Sequence, residues 1–160
     1  MRLIVAAVGR LKAGPERDLA ARYSERIAKA GRAVGLTEIE VVEVAESRAR
    51  EAERRRTEES IALAQLLPAG AAKILLDERG EDLSSLAFTG RLQGWRDQGR
   101  PAAFFFVGGP DGVADNLRED PDLCLAFGAA TWPHQMVRIM LLEQVYRAVT
   151  LLAGHPYHRG

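Results

Sequence analysis

The chain closes on Pro156-Tyr157-His158-Arg159, which sets an aromatic ring, an imidazole and a guanidinium side by side. Chain termini usually fray and carry little side-chain chemistry. These three groups can stack on a base, move a proton and hold a phosphate. They follow Trp132-Pro133-His134-Gln135-Met136-Val137-Arg138 and an apolar helical run through Glu143-Gln144-Val145-Tyr146-Arg147. Glu143 and Arg147 stand four apart in the order that favours a helix ion pair. Val137, Leu141, Gln144 and Tyr146 leave that helix apolar over most of its circumference, so it must be buried against the rest of the chain or a second copy. Homodimerisation is the expectation.

Three loops offer places for a ligand: Asp77-Glu78-Arg79-Gly80, Gly108-Gly109-Pro110-Asp111-Gly112, and Gly128 to Trp132. Adjacent glycines without Cβ atoms let a ligand approach the backbone, although the same residues also make a tight turn. Other chemistries lack their signatures. There is no G-x-x-x-x-G-K-[ST] phosphate loop, and the glycine turn is not G-x-G-x-x-G and follows a late strand. His134, His155 and His158 have no cysteine or carboxylate at metal-ligand spacing, so no metal is expected. Arg48 to Arg56 alternates in sign with Glu51, Glu53, Glu58 and Glu59 and reads as a solvated helix laced with ion pairs, whose exposed arginines could also touch a ribonucleoprotein.

The elements that must position these loops follow from periodicity. Arg2–Val8 reads as a buried strand. Leu19, Tyr23 and Ile27 make residues 15–30 an amphipathic helix closed by Gly31. Residues 37–44 alternate as a strand with one wet face. Residues 47–67 read as a helix ending at Pro68-Ala69-Gly70. A third strand is expected over 73–77, then a helix capped by Ser84 or Ser85 with Leu86, Leu92 and Trp95 on its apolar face. Residues 102–107, with three successive phenylalanines, read as a central strand buried on both faces. A short helix near 113–118, a fifth strand over 122–127 and a final helix from Thr131 or Pro133 to about Leu152 complete the pattern. Strands alternating with helices imply one α/β domain over residues 1–160, with a mostly parallel sheet covered on both sides. In such sheets ligands bind at the carboxyl ends of the strands.

With 160 residues, 47% hydrophobic and 28% charged, the chain suits one buried core. No apolar run is long enough to span a bilayer, and the N-terminus lacks a signal-peptide pattern. Cys124, the one cysteine, cannot pair internally and reads as a buried structural thiol. A cytoplasmic location is the expectation. The net charge of zero is not that of an autonomous binder of naked nucleic acid.

Five blocks together resemble a known family: Leu75-Leu76-Asp77-Glu78-Arg79-Gly80, Gly108 to Gly112, Thr131-Trp132-Pro133-His134-Gln135-Met136-Val137-Arg138, Leu142-Glu143-Gln144-Val145-Tyr146-Arg147-Ala148 and Pro156-Tyr157-His158-Arg159. In order, spacing and total length the chain resembles the RlmH-type methyltransferases of the SPOUT superfamily. The resemblance implies an α/β sheet with a C-terminal deep trefoil knot, a rare exception to unknotted topology. It implies a homodimer that binds S-adenosylmethionine and methylates N3 of a pseudouridine in a subunit-interface hairpin of 23S rRNA, preferring the assembled 70S ribosome. That preference would reconcile a ribosomal RNA substrate with a neutral chain.

Carried over by position, the resemblance gives the cofactor Leu76, Gly108, Phe127, Gly128, Ala129, Ala130, Thr131 and Trp132, mostly through backbone groups. Relatives often carry serines where this chain has Phe127-Gly128-Ala129-Ala130, which argues against side-chain roles there. His158 is the first candidate to take the N3 proton, with Tyr157 stacking. Arg159 and Arg138 are the candidates for RNA contact, and Arg138 alternatively for the cofactor. Two other readings stay open: a methyltransferase of this superfamily acting on another RNA such as tRNA, and a ribosome-binding factor that keeps the fold without the chemistry.

Overall fold

The computed structural model describes residues 1–158, without the side chain of His158. Five strands form one parallel sheet: β1 (Arg2–Val8), β2 (Glu38–Val44), β3 (Ala72–Asp82), β4 (Ala102–Val107) and β5 (Leu123–Ala126). Their order is β2-β1-β4-β3-β5. Between them run α1 (Pro15–Gly31), α2 (Ala52–Ala64), α3 (Ser85–Asp97) and the one-turn α4 (Asp115–Arg118), and α5 (His134–Leu152) follows β5. Short 3-10 turns at Arg32–Val34 and Pro156–His158 end α1 and close the described chain.

The pleat decides which residues meet which helices. Along β1, Leu3, Val5 and Ala7 face α1, α3 and α5, where they join Ile27, Phe88, Leu92, Leu141, Leu142 and Val145. Ile4, Ala6 and Val8 face the opposite way, against Leu63 of α2 and Val113. In β4 the same split sends Phe105 to the first core and Phe104 and Phe106 to the second. This explains why the strand is an unbroken apolar run: every residue of it is buried. β2 lies at one edge, with Glu38 and Glu40 outward and paired to Arg2.

Four local expectations need correction. The helix expected from residue 47 begins only at Ala52, because residues 47–51 are held in an irregular path by tertiary bonds. The Arg55 guanidinium donates to the carbonyls of Ala49 and Arg50, and the Ser47 N–H donates to Glu59. On α3 the buried stripe is Phe88, Leu92 and Trp95, whereas Leu86 is 71% exposed. At about 100° per residue, Leu86 falls on the side opposite Phe88. Ser84 is the cap, accepting from the Ala87 N–H at 3.1 Å. Cys124 is half-buried rather than fully buried, and burial pushes its thiol pKa up.

The fourth correction shapes the site. β3 does not stop at Asp77 but continues to Asp82. Its register against β5 breaks after Leu76 and resumes at Glu81, and both residues pair with Leu125. Residues 77–80 therefore leave β5 and return to it within one strand. The return is tight: a Cβ on Gly80 would lie 2.6 Å from the Cys124 carbonyl oxygen and 2.8 Å from the Leu125 carbonyl carbon.

Candidate ligand cavity and comparison with known proteins

β3, β4 and β5 end side by side, and a cavity of about 560 Å³ opens at their carboxyl ends. This is the position that open α/β sheets use for ligands, and the volume suits a small organic molecule. Its floor is Leu76, Val107, Leu125 and Ala126; its walls are residues 77–79, 108–112, 127–128 and 130–132, with Arg56, Arg118, His134 and Val137. At Gly108 a Cβ would meet Val113 Cγ1 at 2.9 Å, so the turn needs glycine for its own packing and presents bare backbone to the cavity.

Each wall is fastened from behind. Asp111 receives a two-pronged bond from Arg55, with Nε at 2.7 Å and Nη2 at 3.0 Å. That bond ties the glycine turn to α2 and holds the Asp111 carboxyl below its ordinary pKa. Asp77 accepts from Arg118 Nη2 at 2.7 Å and from the Arg79 N–H at 3.0 Å. Burial works to raise the Asp77 pKa, but the Arg79 N–H and the Arg79 and Arg118 side chains outweigh it and leave the carboxyl lowered. The third wall is closed by the Trp132 indole N–H on the Phe127 carbonyl at 3.0 Å, and by the Thr131 hydroxyl on Glu78 at 3.0 Å. Beneath the glycine turn, Glu59 is 4% exposed and its Oε2 has no hydrogen-bond partner. Burial pushes the Glu59 pKa up.

Of the residues expected at a ligand site, Leu76, Gly108, Phe127, Gly128, Ala130, Thr131 and Trp132 line the cavity. Ala129 is exposed and does not. Tyr157 is not at its own chain's cavity. It packs edge-on against Tyr146, with ring centroids 4.7 Å apart, and under the Arg147 guanidinium. Burial and a hydrogen bond to Tyr23 push its hydroxyl pKa up to about 12, so it remains a protonated phenol at neutral pH. Arg147 makes the expected pair with Glu143 at 2.8 Å. The His158 side chain and Arg159 lie outside the described residues.

Arg138 requires a correction. It is 0% exposed, and its guanidinium donates to the carbonyls of Val8 and Gly9 and to Glu43. Packed under α5 between β1 and β2, it reaches neither RNA nor the cavity; it satisfies carbonyls at the end of a central strand. Sequence reasoning had placed it one turn into the final helix without a view of which way that turn faces.

Three polar cavity residues were not anticipated: His134, Arg56, and Arg118 at the end of α4. His134 lies on the first turn of α5 with Nε2 4.0 Å from Glu46, and burial lowers its pKa, so the imidazole is neutral near pH 7. Its place directly after the Gly128–Trp132 loop was the available signal. Arg56 belongs to α2, far from any glycine turn in sequence, and carried no such signal.

A family model described as "Predicted SPOUT methyltransferase" matches residues 1–158. The chain belongs to the SPOUT methyltransferase family. That membership implies the deep trefoil knot. Curated relatives match from end to end, covering 100% of this chain and of their own. Proteins named "Ribosomal RNA large subunit methyltransferase H" are 57% identical in Xanthobacter autotrophicus (strain ATCC BAA-1158 / Py2) and 56% identical in Rhodopseudomonas palustris (strain HaA2), each over 160 residues. Among solved structures, a probable methyltransferase from Bordetella pertussis Tohama I gives a TM-score of 0.48 at 12% identity, covering 92% of this chain and 95% of that one. The family assignment does not rest on it. Among the described residues no helix is long and apolar enough to cross a membrane, and no group of three or more His, Cys, Asp or Glu is placed to hold a metal ion.

Proposed function

We propose that this chain is a S-adenosylmethionine-dependent methyltransferase acting on N3 of a pseudouridine in large-subunit ribosomal RNA, on the assembled ribosome in the cytoplasm. The observation that carries the reading is the cavity at the ends of β3, β4 and β5, walled by residues 108–112, 127–128 and 130–132. It occurs in a chain that aligns end to end with relatives named for large-subunit ribosomal RNA methylation.

The residues present fit the cofactor. Leu76, Val107, Leu125, Phe127 and Val137 offer an apolar surface for a purine, and Gly108 brings backbone groups close to it. Leu76, Gly108, Phe127, Gly128, Ala130, Thr131 and Trp132 would hold the adenosyl half. When bound, S-adenosylmethionine supplies an electrophilic methyl group on a sulfonium. The protein's task is then to position the base in line with that methyl group and to remove the N3 proton. His158 takes that proton, Tyr157 stacks on the base and Arg159 holds a phosphate.

Tyr157 is absent from the lining of its own cavity, which supports a homodimer in which the tail of one copy serves the cavity of the other. The start of α5 supports it further: Met136 on its first turn and Trp132 just before it are 38% and 44% exposed. An apolar recess between α1 and α5, lined by Leu19, Tyr23, Phe127, Ile139 and Met140, adjoins the cavity at Phe127.

The test is transfer of a labelled methyl group to ribosomes lacking the modification, beside separated large subunits and naked rRNA, with the product nucleoside identified by mass. Methylpseudouridine on assembled ribosomes is the expected result. Transfer only to free tRNA, or cofactor binding without transfer to any rRNA, would overturn the substrate. No cofactor binding would leave a ribosome-binding factor without the chemistry.

A further inference from the structure

Three successive arginines on α2 have three different fates. Arg54 points to solvent and pairs with Glu58 one turn on at 2.8 Å. Arg55 is spent on Asp111 and on the carbonyls of Ala49 and Arg50. Arg56 lines the cavity, and among the described residues no carboxylate lies within ion-pair distance of it and no acceptor takes its N–H groups.

The other charges of the cavity are already matched. Arg118 and Arg79 both engage Asp77, Arg118 also engages Asp115, and Asp111 is held by Arg55. Glu78 accepts the Thr131 hydroxyl. Among the arginines that line the cavity, Arg56 is thus the one that makes no ion pair or hydrogen bond among the described residues; Asp111, the carboxylate near enough to feel its charge, already has both oxygens bonded to Arg55. Polarity is also divided by position: the floor is apolar, and the charged groups stand on the walls, from α2, the end of β3, the glycine turn and α4. An amphiphilic ligand with an apolar ring system at one end and an anion at the other fits that division.

We propose that Arg56 is an anion subsite of this cavity and binds the α-carboxylate of the amino-acid half of an adenosyl–amino-acid ligand. This rests on the reading of the cavity as the S-adenosylmethionine site and extends it to a side chain on α2. A guanidinium meets a carboxylate through two parallel N–H donors, a stronger and more directional contact than a neutral hydrogen bond. It also gives the pocket a means of preferring the complete cofactor over its adenosyl fragment.

The experiment compares two commercial ligands by titration calorimetry on the full chain. S-adenosylhomocysteine carries the carboxylate; 5′-methylthioadenosine has the same adenosyl group without the amino-acid end. For Arg56→Gln the expected result is a loss of about 10- to 100-fold in affinity for S-adenosylhomocysteine, the size of a lost charge-assisted bond, with methylthioadenosine affinity unchanged. Arg56→Lys should recover part of the loss. Arg54→Gln, on the solvent side, should change neither ligand.

Equal weakening of both ligands would overturn the proposal in favour of a structural role for Arg56, and no weakening of either would also overturn it. Unchanged calorimetry with a raised KM for ribosomes would reassign Arg56 to an RNA phosphate. If the wild-type chain binds neither ligand, the reading of the cavity itself fails. If it binds methylthioadenosine with the same affinity as S-adenosylhomocysteine, that reading survives and the carboxylate subsite fails.

Discussion

Gly80→Ala tests whether the double pairing of β5 with β3 is as tight as it looks. An alanine Cβ would stand 2.6 Å from the Cys124 carbonyl oxygen, 2.7 Å from its carbon and 2.8 Å from the Leu125 carbonyl carbon. All three obstacles are backbone, which cannot swing aside as the tip of a side chain can. Overpacking typically costs about 1–3 kcal/mol, and a backbone obstacle puts this substitution near the upper end, about 2–3 kcal/mol. For a chain of this size each kcal/mol lowers Tm by about 2–4 °C, so a fall of about 5–10 °C is expected. The relief would come from moving residues 77–80 away from β5, and Asp77, Glu78 and Arg79 are cavity wall. Affinity for an adenosyl ligand should therefore fall with stability. Gly90→Ala is the matched control: it lies within α3 with nothing within 4 Å of the added carbon, and should stabilise by about 0.5–1 kcal/mol. Urea unfolding followed by circular dichroism reads both. An unfolding midpoint for Gly80→Ala equal to that of the wild type would refute the reasoning.

Other outcomes follow from the same contacts. Arg138→Met takes a donor from the Val8 and Gly9 carbonyls and leaves Glu43 only the Leu11 N–H at 3.4 Å; it should cost about 3–5 kcal/mol, measured by urea unfolding, and a loss under 1 kcal/mol would contradict the burial argument. Glu59 and Asp77 should act on stability with opposite signs of pH dependence. The raised Glu59 pKa stabilises fully below the unfolded-state pKa, and that contribution is lost as pH rises through the folded value, so Glu59→Gln should gain stability relative to wild type as pH rises above the unfolded-state carboxylate pKa. The lowered Asp77 pKa stabilises above the unfolded-state value, and that contribution is lost as pH falls through the folded one, so Asp77→Asn should flatten the acid limb of the Tm profile. Removing the residues after Gly154 should leave cofactor affinity intact and abolish methyl transfer; full transfer by the shortened chain would exclude the tail from catalysis.

The elements that sequence reasoning located best are those whose local pattern and tertiary role coincide. The Phe104–Phe106 run is apolar because both faces of β4 are covered, and the order of strands and helices follows from similar runs. The misread segments are those where distant contacts overrule local preference. Asp77-Glu78-Arg79-Gly80-Glu81-Asp82 is too polar to look like strand, yet β5 pairs with its end. Ser47-Arg48-Ala49-Arg50-Glu51 has helical composition, yet Glu59, twelve residues on, holds the Ser47 N–H, and Arg55 takes two of its carbonyls from within the next turns. For the site, the glycine turn and the Phe127–Trp132 loop were legible because they sit at strand ends. Arg56 was not, since nothing in a run of arginines distinguishes the one that turns toward a cavity. Arg138 was misassigned for the converse reason: a charged residue draws attention as a contact, and its fully buried setting depends on β1, more than a hundred residues away.

That last contact also bears on how the protein comes into being. β1 is made before the rest of the sheet, but its terminal carbonyls at Val8 and Gly9 accept from Arg138, about 130 residues further on. Its neighbour β4 and the covering helix α5 are likewise late. A nascent chain can pair β1 with β2 early, yet its first strand stays half-finished until the last helix has emerged from the ribosome. The ligand cavity depends on the same late segments, β4, β5 and the first turn of α5. A chain that lacks α5 thus has neither a closed core nor a place for a cofactor, and both arrive together once that helix is made.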